Sequence, residues 1–383
     1  MKSLSGARAL FVLGTLEIGG TERQALLLAR YLKEERSVEV RVLGVGRKPG
    51  RLASLCEESG IPWRCLPLPW PEGRLGRLKD LVSLARGLRR ERPDVILAFN
   101  WLPNVACGLT WRVSGARLGV WNQRDGGCGL NAGLMQRTAV RWSSGFMSNS
   151  VHARRFLSET YGLRPGKIAV IPNAIALPRL AGRGSRRELL GIGGEAFVAC
   201  MVANLHQLKD HTTILRAWKT VCDLSRADGV SPLLLLAGRD DGEGMRLKAE
   251  AFDLELGDAV RFLGFVDDVA GLYAAADLCV HGTKTEGCPN AVLEAMATGL
   301  PVAASDVPGV REAVGPDGYR FLCPPGDASA LAERILELLR APRLRAEAGA
   351  AMRRRVETEH DPRAVCAKAA AYVEELLAEA DAS

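Results

Sequence analysis

Two glutamates separated by seven residues stand out first, in Glu286-Gly-Cys-Pro-Asn-Ala-Val-Leu-Glu294-Ala-Met-Ala-Thr-Gly299-Leu-Pro301. The residues around them prescribe a short helix. Pro289 falls in the first turn, where a missing N–H costs nothing, Gly299 suits the C-terminal cap, and Pro301 forbids continuation. The apolar run 278–280 reads as a strand, and the loop after it aims the helix N-terminus, Pro289-Asn290-Ala291, at whatever binds there. Free N–H groups and the helix dipole at such a terminus attract a phosphate. Glu294, one turn along, suits a pair of vicinal hydroxyls such as those of a ribose, and Glu286 in the loop could reach a hexose. On spacing alone the plainer alternative stays open, that both are solvated or capping side chains.

Other groups add less by themselves. Gly19-Gly20, in a loop after the first apolar run, permits close backbone approach to a phosphate or sugar oxygen. The spacing is not that of a dinucleotide-binding loop. Thr21 and Gln24 just beyond it read as a capping box. Five histidines, His152, His206, His211, His281 and His360, show no ligand spacing, and only His206 falls in a predicted binding loop. Ten cysteines lack C-x-x-C pairs, so no metal is expected and the thiols read as reduced and mostly buried, as in a cytosol.

The segment EGCPNAVLEAMATGLPVAASDVPGVREAV resembles the signature of glycosyltransferase family 4, retaining enzymes with the GT-B fold. The likeness extends to GGTERQ near the start, Ser148-Asn149-Ser150, Ile171-Pro172-Asn173, Phe262-Leu263-Gly264 and Ala275-Ala276-Asp277-Leu278. It implies a nucleotide-sugar donor, no cofactor and no required metal, and a cleft between two domains. Glu294 would bind the donor ribose, and Glu286 would face the sugar near its reacting carbon. Lys209 would neutralise charge developing on the leaving diphosphate, stabilising the transition state more than the ground state. The arginine that often accompanies this lysine is missing; Asn204 and His206 occupy the candidate positions, and Arg239, in Gly238-Arg239-Asp240-Asp241, could supply the charge. An acidic-pair metal site there is less expected than a solvated loop.

The first half departs further from the pattern. Where many members carry a histidine, this chain has Asn100 after one predicted strand and Asn122-Gln123-Arg124-Asp125 after the next. Asp125 is the alternative for steering the acceptor hydroxyl. The resemblance also implies that the departing phosphate itself serves as the base. Retaining transfer of a hexose-type sugar to a glycan or lipid-linked acceptor, in polysaccharide, cell-wall or glycolipid assembly, is the expected activity. A catalytically silent relative acting as a partner subunit is the rival reading, and other GT-B enzymes such as epimerases or phosphorylases lack this signature.

These groups must be held by an ordered frame. Apolar runs alternate with amphipathic stretches, the pattern of α/β domains with parallel sheets. Strands are expected at 9–13, 38–43, 95–99, 118–121, 146–148 and 168–171, then at 197–202, 233–237, 260–263, 278–280, 302–304 and 320–322. Two doubly wound, Rossmann-like domains follow, 1–173 and 174–361, with an alanine-rich helix at 362–378 free to pack back on the first.

At 383 residues, 47% hydrophobic and 25% charged, the chain has room for both domains and excludes disordered and collagen-like classes. Charge divides unevenly. Residues 1–172 carry +14 and the rest −7, within a total of +7. A basic half invites an anionic membrane surface, a lipid diphosphate or an acidic glycan, and the plainer alternative, an arginine-rich proteome solvating its helices, stays open. Nucleic acid is not expected, since no aromatic-interleaved basic motif accompanies the charge. The basic helix around 74–92 carries Leu75, Leu78, Leu81, Val82, Ala85 and Leu88 as one stripe, most simply its packing face against the sheet. Membrane docking, with Trp63 and Trp70 nearby, is the sharper alternative. No segment is long enough to span a bilayer, so the expected place is the cytoplasm, with contact at the inner face of the membrane.

Overall fold

The computed structural model describes residues 4–127, 130, 133–178 and 183–382. They form two compact units, Met1–Ala174 with Pro362–Ser383, and Ile175–Asp361.

The first unit runs β1 (Arg8–Leu13), α1 (Gly20–Arg36), β2 (Glu39–Gly44), α2 (Arg51–Glu58), β3 (Trp63–Cys65), α3 (Arg74–Glu91), β4 (Val95–Phe99), α4 (Trp101–Ser114), β5 (Leu118–Gln123), α5 (Leu134–Trp142), β6 (Gly145–Ser148), α6 (Val151–Tyr161) and β7 (Ile168–Val170). Its seven strands are parallel in the order β3-β2-β1-β4-β5-β6-β7. The second unit runs α7 (Arg183–Leu189), β8 (Val198–Val202), α8 (His211–Ser225), β9 (Leu233–Ala237), α9 (Gly244–Asp253), β10 (Val260–Gly264), α10 (Val269–Ala275), β11 (Leu278–His281), α11 (Asn290–Ala297), β12 (Val302–Ser305), α12 (Pro308–Val314), β13 (Leu322–Cys323), α13 (Ala328–Arg340) and α14 (Pro342–Glu359). Its sheet is parallel in the order β10-β9-β8-β11-β12-β13. The last helix, α15 (Pro362–Ala382), returns to the first unit. There the Tyr372 hydroxyl accepts from the Phe146 amide at 3.1 Å and donates to the Lys167 carbonyl at 3.2 Å.

Buried parallel strands read as continuous apolar runs, which is why Val95–Phe99 and Leu233–Ala237 are buried at every position. In each sheet the strand order reverses once, between β1 and β4 and between β8 and β11. Such a switch point is where open α/β sheets bind ligands.

Four expectations are corrected. The three-residue edge strand β3 is too short and too half-buried to announce itself. Residues 320–321 belong to a 3-10 turn, Pro316–Phe321, so only Leu322–Cys323 is strand; Gly315 with φ +67° and Pro316 start that turn. Thr21 and Gln24 form no capping box. Gly19 caps α1 without a side-chain bond, while Gln24 exchanges two 2.8 Å hydrogen bonds with the Ala174 backbone and Thr21 donates to Asn100 Oδ1 at 3.3 Å.

The fourth correction concerns the α3 stripe, which does not all face the sheet. Leu84 and Leu88 are fully buried, but Leu75, Leu78 and Val82 are 84%, 57% and 40% exposed. Beyond the short β3 there is little sheet left to cover them.

Candidate functional site

The second unit's switch point assembles its site from backbone upward. Pairing of β8 with β11, Leu278 opposite Ala199 and Cys279 opposite Cys200, sets the two following loops side by side. They are then joined directly: the Asp210 amide donates to the Gly282 carbonyl and the Lys284 amide to the Leu208 carbonyl, both at 3.0 Å. A Cβ on Gly282 would stand 2.5 Å from the Asp210 carbonyl oxygen, and one on Gly309 in α12 would stand 2.4 Å from those of Glu286 and Gly287. Only glycine allows these approaches.

This zipping brings Lys209 and Glu286 together. The ammonium donates to Glu286 Oε1, with the two side chains 28% and 14% exposed. The same oxygen faces His281 Nε2 at 3.3 Å and the Thr283 hydroxyl at 3.5 Å. Among the described residues Oε2 takes no hydrogen bond. Burial alone would push the Glu286 carboxyl up, but the Lys209 charge and the His281 hydrogen bond hold it down at about 2. It is therefore ionised at neutral pH, with one oxygen tied and one open.

Glu294 lies on α11, one turn from its start, half-buried, and α11 itself is held by the Tyr273 hydroxyl donating to the Ala291 carbonyl at 2.7 Å. Pro289 is its N-cap and Asn290 its first residue, so the amides that follow point out of the helix end. Asn204 ties two loops, its amide nitrogen donating to Asp241 at 2.8 Å and its oxygen accepting from the Arg239 amide at 3.2 Å. The Arg239 side chain is exposed.

Of the histidines, the structure selects different ones from the sequence. His206 is exposed and its ring accepts from the Leu208 amide of its own turn at 3.3 Å. His211 and His281, each 1% exposed, back the Lys209–Glu286 pair instead. The signal was available: His281 ends a strand at the switch point, and His211 follows Lys209 by two residues.

Burial pushes His211 down to about 4, against the hydrogen bond it makes to the Lys209 carbonyl at 3.0 Å. Below its ordinary value of 6.5 the unfolded chain takes a proton that the folded one refuses, so stability falls as the pH drops from 6.5 toward 4. The loss amounts to roughly 3 kcal/mol for the second unit. Glu286 adds a further loss from 4.5 toward 2 as its carboxylate is protonated. Thermal midpoints measured across this range should fall with pH, and His211→Asn, which keeps a donor for the carbonyl, should flatten the upper part of the curve. An equal slope in that variant would remove His211 from the account.

In the first unit, Gly19 and Gly20 open α1 beside the end of β1. Glu22, which the sequence reading passed over inside GGTERQ, is 6% exposed, and a Cβ on Gly19 would meet its Oε2 at 2.6 Å. Burial raises its carboxyl, against its own backbone hydrogen bond and the Arg124 charge. Asn100 caps α4 at φ +68°, a strained conformation for a residue with a side chain. Asp125 Oδ1 accepts from Gln123 Nε2 at 2.8 Å and from the Gly127 amide at 2.7 Å, so this carboxylate holds its own turn. Arg124 reaches Asn173. Residues 128–129 and 131–132, beyond that turn, lie outside the described set. Among the described residues no group of three His, Cys, Asp or Glu could hold a metal ion, and no helix is long and apolar enough to cross a membrane.

Comparison with known proteins bears on both units. A model of the family described as Glycosyltransferase Family 4 matches residues 18–179, and one described as Glycosyl transferases group 1 matches residues 184–355. The chain is 34% identical over 200 residues to the D-inositol 3-phosphate glycosyltransferase of Actinosynnema mirum, covering 49% of this chain and 47% of that one. It is 28% identical over 352 residues to the phosphatidyl-myo-inositol mannosyltransferase of Mycobacterium leprae, covering 84% of each. The chain thus spans about half the length of the first relative and most of the second. Among solved structures, Anabaena HepE in complex with UDP and glucose superposes with a TM-score of 0.83 over 96% of this chain and all of that one, at 22% identity. That likeness is one of fold.

Proposed function

The chain belongs to the glycosyltransferases of family 4, with the GT-B fold, and from that premise we propose that it transfers a hexose-type sugar from a nucleotide-sugar donor, with retention and without a metal, to a glycan or lipid-linked acceptor. The observation that carries this reading is the Lys209–Glu286 pair at the second unit's switch point, beside the N-terminus of α11. Lys209 answers the charge on the leaving diphosphate. The amides after Pro289 bind a phosphate, Glu294 the ribose hydroxyls, and Glu286 Oε2 a hydroxyl of the sugar. With Asp125 engaged in its own turn, the departing phosphate is the base for the acceptor hydroxyl, on the face from which it leaves. Polysaccharide, cell-wall or glycolipid assembly is the setting this chemistry serves.

A thermal-shift titration against UDP-, GDP-, ADP- and TDP-linked sugars, with Glu294→Gln as control, tests the donor site. Stabilisation by one donor, lost in the variant, supports the reading; no stabilisation by any of them favours a silent partner subunit. The anomeric proton coupling of the product then reports retention, and activity in excess chelator reports metal independence.

The exposed side of α3 supports membrane contact as part of the same reading. Leu75, Leu78 and Val82 share an open groove with Arg64, Lys79, Arg86 and Arg90, an apolar strip rimmed by cations. Its complement is an anionic bilayer. Co-sedimentation with vesicles containing phosphatidylglycerol should fall about tenfold or more in Leu75→Ser/Leu78→Ser, since each leucine withdraws ~1.5–3 kcal/mol of burial. Equal binding to neutral phosphatidylcholine vesicles would defeat this assignment.

A further inference from the structure

His281 and His211 are buried, and the roles proposed above use neither. Their tautomers follow from their partners. A carboxylate only accepts, so His281 Nε2, 3.3 Å from Glu286 Oε1, carries the ring proton. A carbonyl only accepts, so His211 Nδ1, 3.0 Å from the Lys209 carbonyl, carries its own. The opposite nitrogen of His281, Nδ1, is buried without a hydrogen-bond partner among the described residues, and that of His211, Nε2, is buried near the Ala203 backbone. Burial lowers the pKa of both rings, so at neutral pH they act as neutral donors and not as cations.

Glu286 Oε1 therefore receives one charged donor, Lys209, and one neutral one, His281, since the single proton of the Thr283 hydroxyl has a nearer acceptor in the Thr285 carbonyl at 3.1 Å than in Oε1 at 3.5 Å. A diphosphate entering beside Lys209 carries at least as much negative charge as the carboxylate and competes for the same ammonium. As the ammonium turns to the phosphates, the His281 N–H is what remains on Oε1. We infer that His281 is a positioning residue for Glu286: its Nε2–H keeps the carboxylate oriented, with Oε2 toward the sugar, when Lys209 is drawn to the donor diphosphate. Two features make His281 suited to this. It ends β11 inside the sheet, at 1% exposure, so the ring cannot follow the ligand. It also brings no positive charge, so it does not compete with Lys209 for the phosphates. His211 completes the arrangement by fixing the Lys209 backbone while its side chain moves.

This inference rests on the donor-site reading above, and the experiment separates the two. His281→Leu removes the N–H at similar volume, and His281→Gln returns an amide N–H near the position of Nε2. In steady-state kinetics with the preferred nucleotide sugar, His281→Leu should lower kcat about tenfold or more with the donor KM within about threefold of wild type, and His281→Gln should recover most of the loss. The groups facing Glu286 are Lys209 and His281, with His211 behind Lys209. With His281 gone, the acid limb of the kcat profile should move to higher pH, as Glu286 loses a donor to its charged form. Binding of the free nucleoside diphosphate, measured in both variants, shows that the site is folded. Wild-type kcat and acid limb in His281→Leu would overturn the inference while leaving the donor site standing. So would equal losses in both variants with diphosphate binding intact. No binding of any nucleotide sugar by the wild-type protein would overturn the underlying reading instead.

Discussion

Lys209→Ala is expected to lower kcat/KM with the preferred donor about 10- to 1,000-fold, with most of the loss in kcat. The ammonium is a compact charge on a residue whose backbone is anchored at the switch point by the Lys209 and Asp210 amides. Charge on the diphosphate grows as the glycosidic bond breaks, so a cation turned toward it stabilises the transition state more than the bound donor, and loss of such a contact costs ~1.5–4 kcal/mol. Glu294→Gln should behave differently. In the proposed site it would contact a part of the donor that does not change during reaction, so its loss of about an order of magnitude should fall on donor affinity. Single-turnover rates and nucleotide binding, measured separately, divide the two effects. Unchanged kinetics in both variants would remove the site assignment altogether.

Asp277→Ala is expected to destabilise the second unit by about 3–5 kcal/mol. Its side chain is 7% exposed and that of Arg187 4%, with Arg187 Nη2 2.7 Å and the Val198 amide 2.9 Å from the same carboxylate oxygen. The guanidinium spends its other donors on the carbonyls of Ala275 at 2.9 Å, Gly194 at 2.6 Å and Ala196 at 2.9 Å. Alanine would leave that cation buried and uncompensated, which costs more than the pair contributes. Arg187→Met with Asp277→Ala should therefore be more stable than Asp277→Ala alone. Amide exchange along Leu233–Ala237, deep in the second sheet, reports the unit directly, and protection unchanged in the single variant would show the pair to be dispensable. Nucleotide binding at permissive temperature should survive, because Asp277 precedes β11 while the site lies at its other end.

Asp277 shows how one motif can be legible while its reason is not. Ala275-Ala276-Asp277-Leu278 contributes to the family resemblance, yet nothing local says that its acid answers an arginine ninety residues earlier. That pairing exists because β8 and β11 are neighbours in the sheet, so α7, which leads into β8, stands where β11 begins, a fact of topology. Similarly, the leucines of α3 announce an amphipathic helix at their spacing. Which of them are buried depends on how far the sheet reaches beneath, and the three-residue β3 decides it.

What the sequence by itself determined follows from local chemistry. The alternation of apolar runs and helical stretches, the Pro289-to-Pro301 punctuation and the Glu286–Glu294 spacing are properties of neighbouring residues, and they specify the α/β class, the helix that carries Glu294 and the family. Proximity across the sheet is another matter. Lys209 and Glu286 are 77 residues apart in sequence and meet because β8 and β11 pair at the point where strand order reverses. His281 and His211, without ligand spacing in the chain, become the backing of that pair, and His206, beside the lysine in sequence, turns to solvent. Periodicity and caps act over a few residues and can be read from them. Which distant loops share a switch point, and which oxygen of a carboxylate is left open, are decided only when the sheet has formed.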